Sequence, residues 1–385
     1  MPLRKLPAVF ARGGTSKALL LHQRDLPANR DDWAPILLAA MGSPDPNGRQ
    51  LDGMGGGISS LSKVCVIGPP TRADADVDYT FAQVSVERAN VDYGANCGNM
   101  SAAIGPFAVD EQLVQAARDG AVTVRIHNTN TGKLIHASFA VADGQARVEG
   151  PLRIDGVAGC GAPIRLEFRD LAGARTGRLL PTGAAVQELA DPRGGGTLRA
   201  SLVDAGNPCV FVEAAALGLD GTESPARVNA DTELMQALES LRRQAALAMR
   251  LAGDETHAAA SRTVPFIGVV ARVRPWSSLS GQRLGADDAH LAVRMLSSGN
   301  AHPAIPITSA LCVAVACRTR GTLPAQLCSA LQGPLRIGHP SGVIDVEAQP
   351  DPRSGKVQHA SVYRTARRLF QGEVLYPSSA DAGQR

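Results

Sequence analysis

Apolar and polar residues alternate over short windows along most of this chain, and only a few stretches carry a helical period. Segments 6–10, 17–22, 64–67, 79–86, 122–128, 134–141, 145–149 and 164–169 read as strands bounded by turn residues. The second half has the same texture, with strands at 198–203, 210–214, 265–273, 291–295, 335–337, 343–348 and 357–364, and a last strand or strand pair over 367–376. A helix is predicted over 31–41, capped by Asp31, with Trp33, Ile36, Leu37 and Ala40 on one face. Segment 231–252 is the clearest amphipathic helix, with Leu234, Leu238, Leu241, Ala245, Ala248 and Leu251 in one stripe. Two further helices have no polar face. One runs from Gly98 through Met100, Ile104 and Phe107, the other spans 307–317, and a helix of that kind belongs inside a core.

The first of these apolar helices is entered through Val91-Asp92-Tyr93-Gly94-Ala95-Asn96-Cys97-Gly98-Asn99-Met100, which sets the Cys97 thiol at its start. Backbone N–H groups and the positive end of the helix dipole at such a place favour carboxylates and thiolates. An inert buried thiol fits the same residues equally well. Near the end of the chain Ser298-Gly299-Asn300-Ala301-His302 precedes the second apolar helix, so Gly299-Asn300 stands to it as Gly98-Asn99 stands to the first. That parallel suggests an internal repeat with Ser298 in the place of Cys97.

Two glycine turns add candidate chemistry. Ala11-Arg12-Gly13-Gly14-Thr15-Ser16 separates two strands and reads either as a plain hairpin turn or as an anion-holding loop. The stretch from Leu51 to Lys63 is the most glycine-dense in the chain. It lacks the Gly-Lys-[Ser/Thr] of a phosphate-binding loop and the third glycine of a dinucleotide fingerprint. Its glycines are expected to let the backbone approach a ligand. Lys63, at the border of an apolar strand, is either a solvated edge residue or a desolvated amine.

Length and composition narrow the class. A chain of 385 residues suggests two domains. With 40 Gly, 25 Pro and 4% aromatics, many turns and strands are expected around cores of Val, Leu, Ile and Ala. The net charge of +3 comes from scattered basic residues, without the stripe that nucleic acid requires. The apolar run at the N-terminus is too short for a signal peptide, and that at 311–317 is far below membrane-spanning length. Seven cysteines without a C-x-x-C argue against a disulfide framework or structural zinc, and for a cytoplasmic protein with reduced thiols.

Taken in order, the motifs resemble the PrpF family. They are Gly14-Thr15-Ser16-Lys17, Ser43-Pro44-Asp45-Pro46, Asp52-Gly53-Met54-Gly55-Gly56, residues 59–63, Asn96-Cys97-Gly98-Asn99-Met100-Ser101-Ala102-Ala103, Gly105-Pro106-Phe107-Ala108, Gly338-His339-Pro340-Ser341-Gly342 and Arg364-Thr365-Ala366-Arg367-Arg368. The resemblance runs from about residue 12 to 374. It implies an α+β fold of the diaminopimelate-epimerase type, with two pseudo-symmetric domains, each an antiparallel barrel-like sheet around a central helix and with the active site between them. On this reading 1–183 form the first domain and 184–365 the second, and 366–385 are a tail that returns to the first.

The family isomerises unsaturated polycarboxylates such as methylaconitate, methylitaconate, aconitate and oxalomesaconate, without cofactor or metal. The resemblance makes Lys63 and Cys97 the catalytic pair. It puts Thr15, Ser16, Asn96, Gly98, Asn99, Met100, Asn207, Ser298, Gly299 and His302 at the substrate, although a surface histidine fits His302 equally well. It also admits a homodimer and an aconitase-like dehydratase as functional partner. Cys209 and Cys312 read as structural, so a two-thiol racemase is the less favoured alternative, and a non-catalytic carboxylate-binding accessory protein is another.

Overall fold

The computed structural model describes residues 3–94, 96–261, 263–329, 333–348, 350, 357 and 359–377. The chain divides into two compact units, one of Met1–Leu152, Gly159–Leu166 and Arg364–Arg385, the other of Arg153–Ala158 and Glu167–Tyr363. Among the described residues no helix is long and apolar enough to cross a membrane.

In the first unit, strands β1 (Leu3–Gly13) and β2 (Ser16–His22) form an antiparallel hairpin. Helix α1 (Trp33–Met41) lies in the crossover from β2 to β3 (Lys63–Gly68), which pairs parallel with β2. Strand β4 (Val77–Val84) returns antiparallel to β3, and the two-residue β5 (Val91–Asp92) folds back on β4. A second crossover carries helix α2 (Gly98–Asp110) and ends in β6 (Gly120–Asn128), parallel to β4, followed by antiparallel β7 (Lys133–Ala142). The C-terminal strand Ala366–Pro377 completes the edge along β1, from Leu3 opposite Pro377 to Gly13 opposite Ala366.

The two-residue period of the strands sorts their side chains onto two faces. Leu19, Leu21, Val64, Val66, Ala82 and Val84 join Trp33, Leu37, Ala40 and Met41 of α1 in one core. The alternate positions Lys63, Cys65, Tyr79, Phe81 and Gln83 point to the other side. Helix α2 is buried at eleven of its thirteen residues. A Cβ on its Gly105 would sit 2.8 Å from the Phe139 ring, so glycine is what allows the helix to lie that close to β7.

The second unit follows the same path. Thr197–Ala205 and Asn207–Glu213 form a hairpin, and Phe266–Ala271 runs parallel to Asn207–Glu213 after a crossover containing helix Thr232–Ala248. Leu291–Ser297 returns antiparallel, Asn300–Ala301 folds back on it, and helix Ile307–Cys317 lies in the crossover to parallel Leu335–His339. The expected internal repeat is therefore present in the topology. The sheets differ in detail from antiparallel barrels, since each contains parallel neighbours and each is open.

Topology also resets the register of the repeat. In each half the central helix begins six positions after the short folded-back strand ends, at Gly98 after Asp92 and at Ile307 after Ala301. Ser298 and Gly299 lie in the tight turn before that short strand, both at positive φ (51° and 78°), and not at a helix start. The residue in the place of Cys97 is Pro306, the N-cap of Ile307–Cys317. Other boundaries shift for local reasons. Helix 231–252 becomes Thr232–Ala248, capped by the Asp231 carboxylate and stopped where Arg250 turns left-handed. The predicted start at Asp31 falls in a 3-10 turn capped by Asn29, ahead of α1.

Candidate active site

Lys63 opens β3 with only 8% of its surface exposed. Its Nζ donates to Gln83 Oε1 at 2.5 Å, directly across the β3–β4 ladder, and lies 5.0 Å from the Phe81 ring centre. Burial holds the amine below its ordinary pKa, and the Cys97 and Cys65 thiols on the same side push it back up. This is the desolvated amine of the two sequence alternatives. The thiol of Cys65 is turned toward the Tyr79 hydroxyl at 3.7 Å, and burial drives both groups well above their usual pKa, so neither ionises near neutrality.

Cys97 is the N-cap of α2, extended at φ −103° and ψ 93°, with its carbonyl accepting from the Ser101 backbone N–H (3.0 Å) and hydroxyl (3.1 Å). Its thiol is left out of the cap, and the first amides of the helix have no partner inside it. The β1–β2 turn lies against this helix start. A Cβ on Gly14, at φ +52°, would fall 2.2 Å from Asn99 Oδ1, and one on Gly13 would fall 2.7 Å from the Asn99 carbonyl oxygen. The Thr15 amide donates to Asn99 Oδ1 at 3.4 Å. Ser16 and Asn99 are buried nearby, and buried Asn96 accepts from Asn128. Gly98 offers its backbone only. Met100 is fully enclosed, with its sulfur against the Gly13 turn, so its side chain belongs to the core.

The two glycine turns are narrowed by their contacts. Arg12 does not stand free to hold an anion, because its guanidinium donates to the Gly14 and Thr365 carbonyls at 3.0 Å each. The glycines of the 51–57 stretch admit the protein's own chain. A Cβ on Gly53 would lie 2.0 Å from the Gly42 nitrogen, and one on Gly55 would lie 2.2 Å from the Gln50 amide.

The remaining predicted site residues belong to the second unit. Asn207, wholly buried, donates to Thr308 Oγ1 at 2.8 Å and so braces the start of helix Ile307–Cys317. Ser298 and Gly299 instead line a cavity of about 340 Å³ with Thr232, Gln236 and Arg243 of helix Thr232–Ala248. His302 bonds Ser297 Oγ at 2.7 Å and stacks on Phe266, with ring centres 6.3 Å apart. Cys209 and Cys312 are buried in strand and helix, as expected of structural thiols.

Sequence reasoning missed Gln83, Tyr79 and Asn128. The one visible signal was a Gln in the otherwise apolar end of β4. Among the described residues no group of three or more His, Cys, Asp or Glu is placed to hold a metal ion.

A family model described as PrpF protein matches residues 3–377. The chain is 41% identical to 3-methylitaconate isomerase of Eubacterium barkeri, over 96% of this chain and 97% of that protein. It is 38% identical to 2-methyl-aconitate isomerase of Cupriavidus necator, over 99% of both. A crystal structure of methylitaconate-delta-isomerase superposes with a TM-score of 0.79 at 40% identity, covering 99% of this chain and 97% of that one.

Proposed function

The chain belongs to the PrpF family, and on that premise we propose that it is a cofactor-independent isomerase that shifts a carbon–carbon double bond along an unsaturated tricarboxylate, with Lys63 and Cys97 transferring the protons. The observation that carries this reading is a buried lysine with a lowered pKa, bonded to a neutral amide, beside a thiol at a buried helix start. A lysine whose pKa is lowered by burial is a more competent general base than a solvated one.

The chemistry balances with these two groups alone. Neutral Lys63 takes a proton from the allylic carbon, and the C–H pair moves into the adjacent C–C bond. The double bond's electrons move on to give a dienolate whose charge rests on a carboxylate. Backbone N–H groups at the start of α2 stabilise that charge. The Cys97 thiol then protonates the carbon two positions away, and proton exchange between ammonium, thiolate and water restores the pair. Thr15, Ser16, Asn96 and Asn99 surround this helix start and are assigned to the carboxylate.

A racemase of this architecture would need a second acid–base group at the start of the second central helix, and Pro306 occupies that position. Double-bond migration with one thiol and one amine is therefore the better fit. We also assign the enzyme a homodimer, to be checked by analytical ultracentrifugation. Its functional partner on this reading is an aconitase-like dehydratase that makes or consumes the same alkene, to be checked by a coupled assay of the two enzymes.

The experiment is a proton NMR time course in D₂O over methylaconitate, trans-aconitate, methylitaconate and oxalomesaconate. The expected result is migration of the double bond in at least one acid, with solvent deuterium at the newly saturated carbon. Exchange at a retained stereocentre without migration would assign an epimerase instead. No turnover of any acid, despite binding, would leave a carboxylate-binding protein.

A further inference from the structure

The geometry points to Gln83 as the positioning residue that turns Lys63 toward its task while presenting it a neutral acceptor in place of an opposite charge. This rests on the reading of Lys63 as the proton acceptor. Gln83 cannot rotate its amide freely. Its Nε2 donates to the carbonyl oxygens of Ser59 at 3.0 Å and Ser62 at 2.8 Å. Flipping the amide would set its oxygen against two carbonyl oxygens, so Oε1 stays directed at Lys63. With one N–H of a neutral amine committed to that oxygen, the lone pair and the second N–H are confined to the other two tetrahedral positions. The Phe81 ring packs beside the amine and narrows the choice further.

The acceptor also matters for what it lacks. A carboxylate at this place would form an ion pair and hold Lys63 as ammonium, whereas an amide satisfies the donor without favouring the charged form so strongly. The groups acting on Lys63 are Cys65 on its own strand and Cys97 at the start of α2, with Tyr79 of β4 beside Cys65. Among the described residues no carboxylate acts on it.

The clamp extends into the glycine-dense stretch, which no catalytic step uses. Ser62 Oγ donates to the Val84 carbonyl and accepts from Gln50 Nε2 at 2.7 Å, and Gln50 Oε1 accepts from the Gly57 amide. Gly55 lies so close to the Gln50 amide that no side chain fits, which ties the loop to the Ser62 carbonyl that anchors Gln83.

The test pairs Gln83→Glu with Gln83→Leu and reads each in two ways. One is the pH dependence of kcat and KM. The other is acetic anhydride competition labelling of Lys63, read by peptide mass spectrometry, which reports the proton affinity of the amine without turnover. Gln83→Glu should move the acid limb of kcat/KM up by about one pH unit or more. It would be about tenfold or more slower at neutral pH, recover in alkali, and show the same shift in labelling. Gln83→Leu should lower kcat about tenfold or more with little change in KM and no upward movement of the limb. The proposal is overturned if Gln83→Glu is folded and its limb and labelling stay at the wild-type position. It is also overturned if Gln83→Leu turns over at the wild-type rate, and this arm carries the test where Gln83→Glu does not fold. Full activity in Lys63→Met would instead refute the role of Lys63 itself, and the labelling profile would still read whether Gln83 sets that amine's proton affinity.

Discussion

Replacing Lys63 with Met should destroy activity while making the protein more stable at neutral pH than at alkaline pH, relative to wild type. A folded Lys63 whose pKa lies below 10.5 refuses a proton that the unfolded chain accepts. Above 10.5 both states carry the neutral amine and the burial has no ionisation penalty. As pH falls through that value, the wild type loses about 1.4 kcal/mol of stability for each pH unit until the folded pKa is reached, and nothing further below it. Methionine has no such term. It does leave Gln83 Oε1 without its donor, a loss of about 1–3 kcal/mol that does not vary with pH. The absolute change in stability can thus take either sign, but its pH dependence is set by the amine alone. Urea unfolding of both proteins from pH 7 to 10.5 gives the difference curve. It should move in favour of Lys63→Met as pH falls, with turnover reduced ~10²–10⁴-fold. A flat difference curve would refute the desolvated amine, and a folded variant with near-normal turnover would refute the base.

Two further outcomes are expected. Iodoacetamide should modify the exposed Cys160, and Cys328, whose pKa is lowered by a hydrogen bond from Cys317, before it reaches Cys97. Activity should nevertheless fall only in step with Cys97 alkylation, with a tricarboxylate protecting that residue. Peptide mapping against residual turnover decides this, and inactivation that tracks Cys160 or Cys328 would remove the role of Cys97. Gly14→Ala must hold a left-handed backbone, at about 1–2 kcal/mol, and force its methyl into Asn99, at about 1–3 kcal/mol more, so it should lower the unfolding free energy by about 2–5 kcal/mol. A melting temperature equal to wild type would show that the turn does not press on the start of α2.

What could be read from the sequence follows from how local each feature is. The start of α2 was legible because an apolar helical period begins right after Asn96-Cys97-Gly98-Asn99, and the structure makes Cys97 the N-cap. Helix Ile307–Cys317 was legible to the residue for the same reason. Gln83 was not, because its meaning depends on a cross-strand register twenty positions from Lys63, and within β4 it looks like one polar residue among apolar ones. Alternation alone also says nothing about direction, so the parallel pairing of β2 with β3 and of β4 with β6 stayed hidden until the crossovers were placed. The glycines of 51–57 do mark close approach, but to the chain's own backbone and to Gln50.

The most instructive error lies in the second half, where Gly299-Asn300 looked like a copy of Gly98-Asn99. Matching residue letters placed the repeat at a turn, whereas matching topology places it at Pro306. Fold and chemistry have therefore parted between the two halves. Both keep the hairpin braced on the start of a buried helix, through Gly14 and Asn99 in one and through Asn207 and Thr308 in the other. The first half holds a thiol at that helix start and a desolvated lysine at the head of its third strand. The second has Pro306 and Phe266 in those places, and neither can carry a proton. An enzyme that inverts a stereocentre with a symmetric pair of acids has no use for such asymmetry. An enzyme that removes a proton at one carbon and returns one at another needs only an unlike pair, and the proposed pair, Lys63 and Cys97, lies wholly within the first unit.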